Sequence, residues 1–252
     1  MLPVITCQAI SKSFVLRTNR QYLLKERVLA WVRPHLRESR QIFWALQDVS
    51  FRVEPGEAFG VIGPNGSGKT TLLRIVAGIF QPTSGTVRAH GRIAPLLALG
   101  VGFHPELTGR ENIYLNAALF GFTTRQILEV EETIINFSEI GSFIDAPTKN
   151  YSAGMQVRLG FSIALEVKPD IFLIDEVFAV GDEHFHQKCL RRLAEERLAQ
   201  RTFVITTHNL QFVEEMCDRA ALMVRGQMVA VGEAKEVVRR YRKLLGQEGS
   251  GP

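Results

Sequence analysis

The feature that most constrains this chain is a glycine-rich segment, GPNGSGKT, at residues 63–70. It matches the pattern GxxxxGK[ST] at every position, with an apolar run, AFGVI, before it and an apolar-periodic run, TTLLRIVAG, after it. Glycines let successive backbone N–H groups turn toward phosphate oxygens, and the start of a helix adds positive potential. The segment therefore predicts a phosphate-binding loop between a strand and a helix.

The residue types in and after this loop predict a nucleotide and a metal ion. Lys69 is expected to reach the β- and γ-phosphates, and Thr70 to ligate Mg²⁺. The second Mg²⁺ anchor is expected in IFLIDE, where Asp175 follows four apolar strand residues. Glu176 comes next and is placed to polarise an attacking water, although a solvated strand-end charge is the alternative. The loop residues predicted to contact the nucleotide are Gly63, Pro64, Asn65, Gly66, Ser67, Gly68, Lys69, Thr70 and Thr71.

Composition limits the classes of protein that the chain can belong to. Its 252 residues are 46% apolar, enough for one large core, and its net charge of +4 suits an anionic partner without selecting one. The N-terminus shows no signal-peptide pattern, and the longest nearly apolar run, IAPLLALGVGF, is about half of a membrane span. We therefore expect a soluble chain that depends on another chain for any membrane crossing.

The hydrophobic pattern divides the chain into strands, helices and a basic insert. VITCQAI and WALQDVSFRV alternate as strands do, and QYLLKERVLAWV between them has helical spacing up to Pro34. Further along, helical patterns alternate with the strand-like runs IFLID and TFVITT, which predicts a mainly parallel sheet covered on both faces. Residues 247–252 are expected to form a frayed tail.

Five motifs stand in a characteristic order: GPNGSGKTT, YSAGMQ, IFLIDE, AVGD and a histidine, His208, just after TFVITT. In this order they resemble the nucleotide-binding subunit of an ABC transporter, from about residue 5 to residue 232. The resemblance implies an α/β, P-loop ABC ATPase domain with a mainly parallel core sheet, an N-terminal antiparallel β subdomain and a helical signature subdomain. It places one domain over residues 1–246, with a basic helical insert at 17–40 and the helical subdomain at 104–165. ATP and Mg²⁺ are the implied ligands.

The same resemblance implies roles for particular residues. Ser152 and Gly154 match the signature motif, which contacts the γ-phosphate of the ATP held by the other subunit. Asp182 matches the D-loop aspartate, and His208 matches the switch histidine near the γ-phosphate, so Glu176 and His208 are the predicted catalytic residues. Each ATP site would then need two chains. For adenine stacking Phe14 is the first candidate and Trp44 the second, and either ring could instead belong to the core.

Two departures from the family pattern point to one branch. The usual LSGGQ signature reads YSAGM here, and no glutamine lies between Gly91 and Arg110, where the Q-loop glutamine is expected. With LALGVGFHPELTGRENIYLN and DEVFAVGDEHFHQKC, the chain is similar to the branch that exports bacterial polysaccharides such as O-antigen, capsule and teichoic acid. This implies a transmembrane permease, expected in two copies, a second copy of this chain, and a peripheral position at the cytoplasmic face of the membrane. The chain ends soon after YRKLLGQ without a carbohydrate-binding domain, so the permease is expected to handle the lipid-linked glycan.

Other functions remain as alternatives. An ABC ATPase for another transported substrate fits less well with the missing glutamine and the YSAGM signature. A soluble ABC ATPase acting on nucleic acid or ribosomes suits the basic pI, but Lys69 and Ser152 are only about eighty residues apart with no heptad run between them. No nucleic-acid partner is therefore expected. The insert helix, with Leu24, Val28 and Trp31 on one stripe, is predicted to meet the membrane or the permease, or else to pack on its own domain.

Overall fold

The structure is a computed structural model that describes residues 2–18, 39–96, 102–175 and 182–248. The β-strands are β1 Ile5–Thr18, β2 Ser39–Val53, β3 Ala58–Ile62, β4 Ser84–Ala89, β5 Ile93–Leu96, β6 Ile171–Ile174, β7 Thr202–Thr206, β8 Arg219–Val224 and β9 Gln227–Glu233. The α-helices are α1 Lys69–Val76, α2 Gly109–Leu119, α3 Thr124–Ser138, α4 Ala153–Glu166, α5 Glu183–Leu198, α6 Leu210–Met216 and α7 Ala234–Glu248. Two short 3-10 helices, Gly141–Asp145 and Thr148–Asn150, precede α4.

The core sheet has the strand order β5-β6-β7-β3-β8-β9 within the described residues. All neighbouring strands are parallel except β8 and β9, which confirms the predicted mainly parallel sheet. Val61 of β3 pairs with Thr206 of β7, and Ile174 of β6 pairs with Ile205. The carboxyl ends of β3, β6 and β7 therefore meet at one edge of the sheet, which is where ligands bind in such folds.

Helices and a second sheet cover the two faces of the core sheet. Along β6, Phe172 and Ile174 belong to a cluster with Phe161 of α4 and Phe185 of α5. The alternate residues Ile171 and Leu173 belong to the opposite cluster, which also contains buried residues of α1, β1 and β2. The strand is buried on both faces because its side chains alternate between these clusters.

The N-terminal sheet is antiparallel, as the resemblance implies. Its order is β2-β1-β4, with Ile5 of β1 paired to Val53 of β2 and to Ala89 of β4. A Cβ on Gly68 of the phosphate loop would come within 2.6 Å of the carbonyl oxygen of Ala45 on β2, so this sheet lies beside the loop.

A helical region lies between β5 and β6. Its apolar cluster includes Ile113 of α2, Ile134 of α3 and Leu159 of α4. Capping boxes begin two of its helices, at Thr108 for α2 and at Thr123 for α3. The predicted subdomain of residues 104–165 contains α2, α3 and all of α4 except its last residue, while the inner end of α4 packs on the core sheet.

Two sequence predictions concern residues at or beyond the limits of the described ranges. Of the predicted helical insert at 17–40, residues 17–18 end β1 and residues 39–40 begin β2, and residues 19–38 lie outside the described residues. Helix α7 extends to Glu248, two residues into the predicted tail of 247–252. Among the described residues, none of the helices combines the length and apolarity that a membrane crossing would need.

Candidate functional site

The phosphate loop follows β3 and leads directly into α1. A Cβ on Gly63, at φ +148°, would come within 2.1 Å of the Met223 carbonyl oxygen, so only glycine fits between the loop and β8. Among the described residues, no atom lies within 4 Å of the Cβ position of Gly66, which has φ +77° and faces open space. The loop is therefore packed against the protein at its start and open at its middle.

Two polar groups of this loop point to an anionic ligand. Lys69 is only 5% exposed, and its Nζ donates to the carbonyl oxygens of Gly63 at 2.8 Å and Pro64 at 3.2 Å. The buried Oγ of Ser67 has no hydrogen-bond partner among the described residues. Within the described part of the chain, the buried ammonium binds only loop carbonyls and the buried hydroxyl has no partner, and phosphate oxygens would satisfy both groups.

An open cavity of about 360 Å³ lies over this loop. Its walls are residues 65–71 together with Phe43 and Ala45 of β2. The N-cap residue of α1, Gly68, has no side chain to cap the first turn, so the N–H groups of that turn face the cavity end of the helix. The size of the cavity, the charge of Lys69 and the position of the helix all fit a nucleoside triphosphate. Thr70, at the start of α1, fits the role of a Mg²⁺ ligand.

Asp175 lies at the carboxyl end of β6, at the same sheet edge as the phosphate loop. It is 4% exposed, and the hydroxyl of Thr206 at the end of β7 donates to its Oδ1. A buried carboxylate in this position, held by a neighbouring strand, fits the predicted second Mg²⁺ anchor. Bound Mg²⁺ would neutralise phosphate charge there.

The remaining predicted catalytic residues are only partly described. His208 lies two residues beyond β7 and, with Asp175 and His186, lines a cavity of about 200 Å³ between α5 and α6. It therefore lies at the same sheet edge as the phosphate loop. Glu176 lies outside the described residues, so its role as the catalytic base stays a prediction.

The signature residues lie at the start of α4. Ser152 is the N-cap, and its Oγ accepts a hydrogen bond from the Met155 N–H at 3.2 Å. Ser152, Gly154 and Met155 line a cavity of about 550 Å³. This cavity shares no residue with the cavity over the phosphate loop. Within one chain the two predicted ATP-contacting surfaces are therefore separate.

Asp182 also lines the signature cavity. Its carboxylate caps α5 through Oδ1, which accepts from the Phe185 N–H at 2.9 Å. This hydrogen bond and the neighbouring Arg158 guanidinium lower the pKa of Asp182 below its ordinary value. Asp182 is consequently a fixed, ionised group next to the signature helix.

The structure separates the candidates for adenine stacking. Phe14 packs edge-on against Phe80 with ring centroids 5.8 Å apart, and it does not line the phosphate-loop cavity. Trp44 alternates with Phe43 along β2 and so points to the other face of the strand. Phe43, which is 50% exposed, lines the cavity itself. The aromatic content of β2 was the only sequence signal for this residue, and alternation alone did not say which face meets the loop.

A phosphate loop between a strand and a helix, with a buried carboxylate on a nearby strand, defines a P-loop nucleotide-binding protein. The family model described as ABC transporter matches residues 46–179. The chain therefore belongs to the ABC transporter family of ATP-binding proteins, and ATP hydrolysis is the reaction of this class.

Curated relatives match over 80–98% of the chain. It is 42% identical over 245 residues to the O-antigen export system ATP-binding protein RfbB of Klebsiella pneumoniae, covering 97% of this chain and 100% of that protein. It is 42% identical over 248 residues to the ABC transporter protein AbcA of Aeromonas salmonicida, covering 98% of this chain and 78% of the relative. It is 46% identical over 202 residues to the teichoic acids export ATP-binding protein TagH of Lactiplantibacillus plantarum, covering 80% of this chain and 55% of the relative.

Solved structures share the fold at lower identity. The ATP-binding cassette MJ0796, solved as a post-hydrolysis dimer with ADP and Pi, aligns with a TM-score of 0.70 at 19% identity, covering 91% of this chain and 98% of that one. The ATP-binding subunit of an ABC transporter aligns with a TM-score of 0.73 at 21% identity, covering 94% and 93% of the two chains. These likenesses confirm the α/β ABC ATPase fold expected from the sequence.

Proposed function

We propose that this chain is the ATP-hydrolysing subunit of an exporter for a lipid-linked polysaccharide of the O-antigen, capsular or teichoic acid type. It acts with a separate transmembrane permease, present in two copies, and lies peripherally at the cytoplasmic face of the membrane. The permease handles the glycan. The observation that carries the proposal is the 42% identity to an O-antigen export ATP-binding protein along its whole length, with the phosphate loop intact.

The chemistry of the site supports a two-chain mechanism. Lys69, Ser67 and the N-terminus of α1 hold the phosphates of ATP in one chain, and Ser152 with Gly154 approaches the γ-phosphate from a second chain. The separation of the two cavities within one chain supports this arrangement. Glu176 serves as the base that activates water, with His208 at the same sheet edge. ATP binds the closed dimer more tightly than the open one, and this difference in affinity is what can drive a movement of the permease.

Phe43 is proposed as the surface on which adenine stacks. Replacing it in the Phe43→Ala variant is expected to weaken ATP binding by roughly tenfold, because base–aromatic stacking contributes ~1–3 kcal/mol. Titration of the purified chain with a fluorescent ATP analogue measures the change. Phe14→Ala is the matched control and is expected to change the dissociation constant less than about twofold. A larger loss in Phe14→Ala than in Phe43→Ala would restore the first sequence-based assignment.

The Glu176→Gln variant tests the whole proposal. It is expected to bind ATP and lose turnover, because an amide cannot take a proton from water, and it should accumulate as an ATP-bound dimer. Tagged Glu176→Gln protein is expressed in its native cells, and complexes are recovered from detergent-extracted membranes with ATP and Mg²⁺. Mass spectrometry then identifies the associated proteins and lipids. A multi-span membrane protein with a polyprenyl- or lipid-linked glycan is the expected result.

Two further variants make this recovery specific. Adding Lys69→Met to Glu176→Gln should abolish ATP-dependent dimerisation, whereas Glu236→Gln on the exposed face of α7 should hydrolyse ATP like the wild type. Recovery of ribosomes or DNA instead of a membrane partner would overturn the transport proposal. Recovery of a permease with another class of lipid or drug would overturn the polysaccharide substrate alone. Full ATPase activity in Glu176→Gln would contradict the assignment of the base.

A further inference from the structure

Arg158 is a charged residue of α4 to which the predicted mechanism gives no role. It lies six residues after Ser152, and its side chain is only 19% exposed. Its guanidinium lies over the ring of the buried Phe185, at 4.9 Å from the ring centroid. Packing of this kind restricts the guanidinium to one orientation.

The two ends of this guanidinium bind carboxylates on two other helices. One end donates to Oδ2 of Asp182 at the start of α5, and the other donates to Oε2 of Glu139 at 3.3 Å. Glu139 is the C-cap of α3 and is also bound by Lys188 of α5 at 2.7 Å. A planar fork can serve two carboxylates at once, which a lysine ammonium in the same place does less well.

Asp182 is held from both sides as a result. One carboxylate oxygen caps α5, and the other is bound by Arg158. A rotation or shift of α4 therefore acts on the first turn of α5 through a packed side chain and an ion pair, rather than only through flexible backbone.

The position of this ion pair in the chain gives it a functional consequence. Arg158 is on the helix whose N-cap, Ser152, is proposed to meet the ATP bound by the second chain. Asp182 comes seven residues after Asp175, which is held at the phosphate-loop edge by Thr206. The Arg158–Asp182 pair thus joins two parts of one chain. One is α4, whose Ser152 is proposed to contact the ATP bound by the second chain. The other is the segment of sequence that contains Glu176, the predicted base for the ATP bound by this chain.

We infer that Arg158 is a positioning residue that couples the two ATP sites of the dimer. It does so by holding Asp182 in a fixed position relative to α4, the helix that begins with the signature residues. The inference rests on the proposed function, since it requires composite sites made by two chains. Coupling of this kind is reciprocal, so it should appear both in the dependence of hydrolysis on ATP concentration and in ATP-driven dimerisation.

The Arg158→Met variant tests this inference in the full-length chain. We expect the Hill coefficient for ATP to fall toward ~1, because coupling free energies of ~1–3 kcal/mol correspond to ~5–150-fold changes in affinity. We expect kcat to fall by roughly tenfold, because the catalytic groups would no longer be held in their productive geometry. ATP affinity of the monomer, measured by analogue titration, should change less than about twofold, since Arg158 does not line the phosphate-loop cavity. A purely structural role would instead lower the melting temperature and the active fraction, and leave the Hill coefficient of the active protein unchanged.

A double-mutant cycle identifies the partner through which Arg158 acts. Arg158→Met combined with Asp182→Asn should lose no more activity than the more damaging single change, because both break the same ion pair. Glu139→Gln, which removes the other carboxylate, should retain the wild-type Hill coefficient. Arg158→Lys keeps the charge and should recover part of the lost kcat. It also replaces Arg158→Met if that variant does not fold.

Arg192→Met is the control for removal of a different ion-paired arginine between α4 and α5. Arg192 is 26% exposed and pairs with Glu196 of α5 at 3.0 Å and with Glu166 at the other end of α4 at 3.8 Å, and its loss should leave kcat and the Hill coefficient unchanged. A wild-type Hill coefficient in both Arg158→Met and Arg158→Lys, or additive losses in the cycle, would overturn the inference and leave the proposed function intact. A wild-type chain that neither hydrolyses ATP nor dimerises with it would overturn the proposed function itself.

Discussion

Lys69→Met is expected to raise the dissociation constant for Mg·ATP by at least ~100-fold, since a charge-assisted hydrogen bond contributes ~1.5–3 kcal/mol and the ammonium would make two or more to the phosphates. Methionine keeps most of the volume of the buried lysine stem, so the core around α1 should stay filled. Among the described residues, the hydrogen bonds that Lys69 Nζ would lose are those to the carbonyl oxygens of Gly63 and Pro64. Analogue titration and steady-state ATPase assays measure the effect.

Thermal denaturation with and without ligand separates loss of binding from loss of folding. Wild-type protein should gain stability with Mg·ATP, by ~2.7 kcal/mol at one hundred times the dissociation constant. Lys69→Met should unfold near the wild-type temperature without ligand and gain almost nothing when ATP is added. The control is Lys243→Met, an exposed lysine on α7, which should behave as wild type in both assays. A wild-type ligand shift in Lys69→Met would contradict the site.

The phosphate loop and the core strands could be predicted because their determinants are local. Only glycine fits at position 63, because the Met223 carbonyl oxygen comes close to it. The strand, the loop and the helix follow one another directly along the chain. The run IFLI is uniformly apolar because β6 is buried on both faces, so the carboxylate after it had to lie at the sheet edge. Sequence order and burial together place Asp175 there.

The proposed adenine surface shows where local pattern is insufficient. Strand alternation puts Phe43 and Trp44 on opposite faces of β2, but it does not say which face meets the phosphate loop. The pairing of β1 with β2 also contains register shifts between Cys7 and Ser13, so the position of Phe14 could not be obtained by counting from either end. Only the packing of the antiparallel sheet beside α1 selects Phe43.

The ion pairs around α4 could not be predicted from the sequence, because they too depend on tertiary packing. Arg158, Glu139 and Asp182 lie on three different helices and meet only when α3, α4 and α5 pack together. A charge on an amphipathic helix is usually a solvated one, and nothing in the spacing of these residues distinguishes them. The buried ring of Phe185 beneath the guanidinium explains why this charge is held in place instead.

Ser152→Asp is also expected to lower ATP turnover strongly, and this substitution separates the structural role of Ser152 from its proposed role at the ATP site. Aspartate is as good an N-cap as serine and its charge suits the helix dipole, so α4 should begin as before. Its carboxylate would face the γ-phosphate of the second chain's ATP. Two like charges ~4 Å apart cost ~4 kcal/mol at an effective dielectric of ~20, so we expect turnover to fall by ~100- to ~1000-fold with no loss of thermal stability. Ser152→Asn keeps the cap without the charge and should lose far less.

Mixing variants tests whether Ser152 acts on the other chain. Ser152→Asp and Lys69→Met are each expected to be inactive alone, but a mixed dimer contains one site with an intact lysine and an intact serine. Since about half of the randomly formed dimers are mixed and each has one intact site, activity should recover to at most about a quarter of the wild-type value. If Ser152 served the ATP of its own chain, every site in the mixture would lack one of the two residues and no activity would return. The result therefore decides between a composite site built by two chains and a site complete in one, because protein folding and ATP supply are the same in both cases.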